Sequence, residues 1–250
     1  MCRHLAYLGP PVTLATLLHA PPHSLVRQSW APADMRGGGT VNADGFGVGW
    51  YPPDADQPVR YRRAEPIWGD PTLAALAEVT TAGAVLAAVR SATVGMPVVA
   101  TAAAPFAEGR WLFSHNGVVA GWPDTVTGLA GALPVRDLLT LDAPTDAALL
   151  WALVRHRLRA GEPPADAVAA TVRAVAAAAP GSRLNLLLTD GRTVVGTAAG
   201  HALSVRAAPG SVLVASEPLD DDPAWRAVPD GHLLVATTTY VHTDPIAKES

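Results

Sequence analysis

A single cysteine, Cys2, stands directly after Met1 in a chain of 250 residues. A thiol attacks as the thiolate, so it needs a neighbouring base or a depressed pKa. An N-terminal residue brings its own base, because an α-amine titrates at about 7.7–8.0 and is partly neutral near pH 7. With Met1 removed, Cys2 would carry nucleophile and base on one residue; with Met1 retained, the two cannot cooperate. A buried structural cysteine in a first strand is the alternative.

Four other stretches carry residues suited to acyl chemistry. In residues 111–117 (WLFSHNG) an apolar run ends in His115, Asn116 and Gly117. Amide hydrolysis develops an oxyanion, and an Asn side-chain amide with a following Gly N–H can supply two donors to it. A strand ending in an Asn-Gly turn would look the same. In residues 89–95 (VRSATVG) Arg90 closes an apolar run, where it could pair bidentately with a substrate carboxylate or snorkel to solvent. Asp146, in Pro144-Thr145-Asp146, opens a helical pattern. There it could bind an ammonium or simply complement the helix dipole. Residues 42–50 (NADGFGVGW) are glycine-rich, but no Lys-Ser/Thr and no helix follow as a phosphate loop would need. A tight turn into a strand with close backbone packing fits better. His19 and His23 have helical spacing, but Pro21 and Pro22 lie between them, so they predict no metal site.

These residues need a scaffold, and strand-like runs dominate the chain: RHLAYLG, GFGVGWY, AVLAAVR, WLFSHNGVV, LNLLLTDG, RTVVGTAAG, SVLVASEP and HLLVATTTYV. Asp190-Gly191 between two of them signals a hairpin. A helix is expected from Asp70 as N-cap and Pro71 to a stop at Gly83. A central pair is expected over about residues 145–159, with Arg155, Arg157 and Arg159 complementing its dipole, and over 165–179. Clustered strands and paired helices give an α+β class with largely antiparallel sheets. The formal charge of −4 with no basic run argues against nucleic-acid binding. No apolar run reaches membrane-spanning length. One cysteine and no export signal point to the cytoplasm.

Cys2, NADGFGVGW, VRSAT, SHNG, Thr145-Asp146 and ASEPLDDDPAWRAVPDG follow one another in an order that resembles the class II glutamine amidotransferase family of N-terminal-nucleophile hydrolases. The resemblance runs from Cys2 to about Val235. It implies a four-layer αββα sandwich of two stacked antiparallel sheets, as one domain over residues 2–250 with Met1 removed and a polar tail from about 241. It implies Cys2 as nucleophile, its α-amine as base, and Asn116 and Gly117 as the oxyanion hole. Arg90 would hold the α-carboxylate of a glutamyl group and Asp146 its α-ammonium, with His115 and Ser91 as further substrate-binding positions. No metal or organic cofactor is implied, and the expected partner is a small γ-glutamyl compound. One departure stands out: many members carry His-Thr-Arg where this chain has Ala88-Val89-Arg90. The glutaminase-like part takes up the whole chain, leaving none for a synthase domain. The resemblance therefore implies hydrolysis of a γ-glutamyl amide whose amine is the wanted product. The alternatives are a glutaminase feeding ammonia to a separate synthase and a non-catalytic binder of γ-glutamyl metabolites. Trp30, Trp50, Trp68 and Trp122, in or near expected loops, are candidates to face the leaving amine or to pack the core and rim.

Overall fold

A strand as apolar as RHLAYLG must bury both of its faces. In the structure, a computed structural model that describes residues 2–35, 41–53 and 55–247, it does so between a helical layer and a second sheet. The first sheet comprises β1 (Arg3–Thr13), β2 (Phe46–Trp50), β3 (Val59–Arg63), β4 (Thr81–Val89), β9 (Ser204–Ala208), β10 (Ser211–Ala215) and β11 (Arg226–Ala227). Its order is β11-β9-β10-β1-β4-β2-β3. The second comprises β5 (Phe106–Glu108), β6 (Trp111–Val118), β7 (Arg183–Thr189), β8 (Val194–Ala198), β12 (His232–Ala236) and β13 (Val241–Pro245), in the order β13-β12-β8-β7-β6-β5. Every pairing in both sheets is antiparallel.

Period-two alternation then sorts the side chains into three cores. Leu5 and Tyr7 of β1 face outward with Phe46, Val85 and the helices α1 (Leu14–Leu18), α2 (Leu25–Gln28) and α3 (Pro71–Val79). Ala6 and Leu8 face inward and meet Leu112, Leu187 and Leu234 of the second sheet. That sheet's outer face, including Phe113, Leu186 and Leu188, is covered by α6 (Asp146–Arg159) and α7 (Pro164–Ala178), with α4 (Thr127–Gly131) and α5 (Val135–Leu139) beside them. The layers are therefore αββα, as the family resemblance implies.

Local chemistry explains most boundaries. Asp70 caps α3 by accepting from Leu73 N at 2.9 Å, and Pro71 takes the first helical position. The helix stops at Val79, however, and Gly83 lies inside β4. The Val79-Thr80-Thr81 run, β-branched throughout, turns extended at Thr80, before the glycine is reached. The Asp190-Gly191 hairpin joins β7 to β8, with Asp190 Oδ1 accepting from Arg192 N and Thr193 N. In β2 a Cβ on Gly47 would sit 2.2 Å from Ala104 O, and one on Gly49 would sit 2.7 Å from Leu112 Cδ1. Those two glycines let the second sheet close over the first.

Three further expectations change. Residues 241–245 are polar and exposed but pair as edge strand β13 rather than trailing as a tail. Trp50 is a buried β2 residue, not a loop residue. Arg155 and Arg159 do more than complement a dipole: both contact Glu108 and the buried Asp137, tying α6 to β5 and α5. Among the described residues no helix is long and apolar enough to cross a membrane.

Candidate active site

The β1–β4 ladder pairs Arg3 with Val89, so Cys2 lies one step beyond, beside Arg90. The NADG and VRSAT stretches are bound to each other there. Arg90 N donates to Gly45 O at 2.7 Å, Asp44 N donates to Arg90 O at 3.0 Å, and Ala92 N donates to Asp44 Oδ2 at 2.8 Å. Gly45 has φ +128, and a Cβ on it would meet Arg63 O at 2.8 Å, so this turn needs glycine. The turn fixes the backbone of Arg90 and Ser91. The Cys2 thiol then contacts Ser91 O at 3.7 Å.

Cys2, Arg90, Ser91, His115, Gly117 and Asp146 line one cleft. Six of the seven residues singled out in the sequence thus converge from β1, the β4–β5 connection, β6 and the start of α6. Cys2 is half-buried at the cleft wall, not packed in the core. Arg90 does not snorkel: it is 9% exposed, its guanidinium donates to Pro97 O at 2.9 Å, and it forms no ion pair among the described residues. A buried cation without an anion is costly, and a ligand carboxylate would relieve that cost. Asp146 is not the cap of α6; Thr145 is, accepting from Ala148 N. Asp146 instead accepts from Val119 N at 3.0 Å and from Ala147 N at 2.8 Å, which holds its carboxylate between the end of β6 and α6. His115 Nε2 is bonded to Arg183 O at 3.0 Å.

Asn116 and Gly117 are not a turn, because β6 runs through both to Val118. Asn116 points the other way from His115, into the space between the sheets. It is 1% exposed, with Nδ2 donating to Ser216 Oγ at 3.2 Å and Oδ1 buried without a partner. Ala88, where many members have His, forms part of the cleft wall, so the donor a His would bring is absent at that position. None of Trp30, Trp50, Trp68 and Trp122 lines the cleft; Trp30 lies under Arg27 and Trp122 packs on the α6–α7 core. Met96 and Phe106 do line it, and the sequence reading singled out neither.

Polar residues around Cys2 that sequence reasoning missed sit mostly inside the sandwich. His4 is 1% exposed and bonds Ser114 Oγ through Nδ1 at 2.8 Å. Burial first, then the neighbouring His115, Arg3 and His201, lower its pKa from 6.5 to about 3. Glu217 accepts from Ala33 N and Asp34 N and lies 4.0 Å from Arg3 Nε. A histidine at the head of the otherwise apolar run LAYLG was the available signal for His4; nothing local marks its partner Ser114, 110 residues away.

A neutral buried histidine couples stability to pH. Unfolded, His4 takes up a proton near pH 6.5; folded, it stays neutral down to about 3. Between those values the unfolded state binds more protons, so stability falls as the pH drops below 6.5, by about 1 kcal/mol per pH unit. His201, lowered to about 4 by burial and by Arg183, acts in the same direction. Urea midpoints at pH 7, 6 and 5 should fall in order, and His4→Gln should flatten the series. Equal slopes in both proteins would show that His4 is not the group responsible.

Comparison with known proteins decides the family. The family described as glutamine amidotransferases class-II matches residues 23–211. The chain belongs to that family. Arg90, Asn116, Gly117 and Asp146 fall inside the match, and Cys2 precedes it. The chain is 40% identical over 246 residues to a γ-glutamyl-hercynylcysteine sulfoxide hydrolase of Mycolicibacterium smegmatis, covering 98% of this chain and all of the relative. It is 41% identical to the Mycobacterium tuberculosis protein of the same name, covering 95% of this chain and 93% of that one. Its fold matches a protein of Silicibacter pomeroyi described as a glutamine aminotransferase class-II domain protein with TM-score 0.70 at 24% identity, covering 99% of this chain and 100% of that one. The Bacillus subtilis glutamine phosphoribosylpyrophosphate amidotransferase superposes with TM-score 0.68 at 14% identity, over 99% of this chain but 50% of that one. This class II amidotransferase domain therefore shares the αββα sandwich of those structures, which makes up half of the Bacillus enzyme.

Proposed function

We propose that the cleft hydrolyses the γ-glutamyl amide of γ-glutamyl-hercynylcysteine sulfoxide to glutamate and hercynylcysteine sulfoxide, a step of ergothioneine biosynthesis. The observation that carries this reading is the pairing of 40% identity over 98% of the chain to a hydrolase of that name with a cleft holding Cys2, Asp146 and an Arg90 that has no ion pair among the described residues. Arg90 takes the α-carboxylate and Asp146 the α-ammonium of the glutamyl group, with Ser91 and His115 forming the wall around it. These two charge-assisted contacts favour a free glutamyl end over a peptide interior.

The α-amine of Cys2 accepts the thiol proton, and the thiolate attacks the γ-carbonyl carbon. Asn116 and the Gly117 N–H hold the resulting oxyanion. The ammonium of Cys2 then protonates the leaving nitrogen as the C–N bond breaks, and a γ-glutamyl thioester remains. Water, deprotonated by the same amine, cleaves the thioester and restores the thiol. Met1 lies outside the described residues; its removal is required by this chemistry and is read directly by intact mass. A free thiol nucleophile suits a reducing cytoplasm, where it escapes oxidation.

Glutamate release from the conjugate and from glutamine, measured side by side, tests the substrate. The conjugate should be preferred by at least about tenfold in kcat/KM, the discrimination expected from roughly 1.4 kcal/mol of leaving-group contact. Faster turnover of glutamine would replace this reading with an ammonia-supplying glutaminase.

A further inference from the structure

Asn116 owes its orientation to a residue on a different sheet. Ser216, the first residue after β10, is 3% exposed. Its N–H donates to His4 O at 2.9 Å, continuing the β1–β10 ladder. Its hydroxyl oxygen accepts from His4 N at 3.0 Å, lies 3.3 Å from His4 O and 3.2 Å from Asn116 Nδ2. One hydroxyl therefore joins the nucleophile's strand, two residues from Cys2, to the residue read above as an oxyanion donor. Among the described residues Ser216 Oγ is the one hydrogen-bond partner of the Asn116 side chain, beside an interface whose apolar members include Ala6, Leu86, Leu112, Leu187 and Val214.

Valence says more. With Nδ2 on Ser216, Asn116 Oδ1 is left buried and unpartnered. Turning the amide over satisfies Oδ1: the hydroxyl still accepts from His4 N and moves its one hydrogen from His4 O, 3.3 Å away, to Oδ1. The amide NH2, with two donors, then occupies the side where Asn116 has no protein partner. An oxyanion needs donors held ready before it forms, and a freely rotating amide would supply them only part of the time. We infer that Ser216 is a positioning residue that fixes the Asn116 amide and, through His4, sets it against the strand carrying Cys2. This rests on the reading of Asn116 as an oxyanion donor.

The test uses the full chain and whichever γ-glutamyl amide it hydrolyses, so it stands apart from the identity of the natural substrate. Ser216→Ala should lower kcat by about ten- to a hundredfold, less than or equal to the loss in Asn116→Ala, with KM changed by no more than about twofold. The double variant should be no slower than Asn116→Ala alone, because both act on one interaction. Ser216→Thr, which keeps the hydroxyl, should recover most of the rate. Alkylation of Cys2 by chloroacetamide requires no oxyanion hole and should proceed at the wild-type rate in Ser216→Ala; slowed alkylation would mean that the N-terminal strand itself had moved and would overturn the assignment. Unchanged kcat, or losses that multiply in the double variant, would also overturn it. If Ser216→Ala does not fold, Ser216→Cys, with a weak donor in the same shape, should show the same split of kcat from KM. If Asn116→Ala itself loses nothing, the oxyanion reading fails, a result distinct from a silent Ser216.

Discussion

Cys2→Ala should fold as well as the parent chain and lose glutamate release by at least about a thousandfold, because no other group can form the thioester. The thiol makes a single weak contact, to Ser91 O at 3.7 Å, and is half-buried, so its removal costs no more than about 1 kcal/mol of stability. Activity and melting temperature are thus expected to separate cleanly. Full turnover by Cys2→Ala would remove the covalent mechanism on Cys2. Intact mass completes the experiment, since active protein that retained Met1 would leave the thiol without its α-amine. Quenching wild-type enzyme during turnover should trap a glutamyl adduct on Cys2, and this adduct should be missing from the alanine variant.

The strands and the central helix pair were legible because their signals are local: alternation, a capped first turn, an Asp-Gly hairpin. Cys2, Arg90 and Asp146 were legible as a set through motif order, although each had an ordinary structural reading. The structure decides between those readings unequally. Arg90 is buried with no counter-ion among the described residues, so solvation of a surface charge does not explain it. Asp146 does perform a structural task at the β6–α6 junction while still lining the cleft. The signals that failed were those in which a distant partner overrides a local one. Gly83 looks like a helix stop but serves in β4, where the pairing with β1 determines the backbone. Residues 241–245 look like a tail because β13 exposes both faces, and only the β12 ladder holds them. Ser216, His4 and Ser114 were invisible because their meaning lies in contacts 100 to 212 residues away.

The polar residues between the sheets also define what the sandwich must keep in place. An apolar interface such as that around Leu112 and Leu187 gains energy from area and tolerates small slides. The His4–Ser114 and Ser216–Asn116 bonds, both landing on β6 and both tied to His4, two residues from Cys2, do not tolerate them. They fix the register between the strand that follows Cys2 and the strand that carries Asn116 and Gly117. A general apolar core thereby acquires the sub-ångström placement that acyl transfer requires.

Gly117→Ala should be the most damaging glycine-to-alanine change among the described residues. The sequence offers this glycine for its N–H; the structure adds a steric reason for it. A Cβ there would lie 1.9 Å from Arg183 O and 2.7 Å from His115 Nε2. The clash is with backbone of the neighbouring strand β7, and that same carbonyl already bonds His115. Relief therefore requires β6 and β7 to part near their Gly117–Leu184 pairing, which disturbs the cleft wall and the second oxyanion donor together. Gly117 has no positive φ, so the cost is steric rather than conformational. Overpacking of this kind costs about 3 kcal/mol or more, and a displaced oxyanion donor lowers kcat by about a hundredfold. Gly128→Ala is the matched control: it lies in α4 with nothing within 4 Å of a new Cβ, and it should hold or raise stability by a few tenths of a kcal/mol. Urea unfolding of the two variants, with activity expressed per folded molecule, separates the two effects in Gly117→Ala. A wild-type midpoint and rate in that variant would show that β7 can retreat without consequence, and that neither the strand pairing nor the donor at Gly117 is as constrained as the geometry requires.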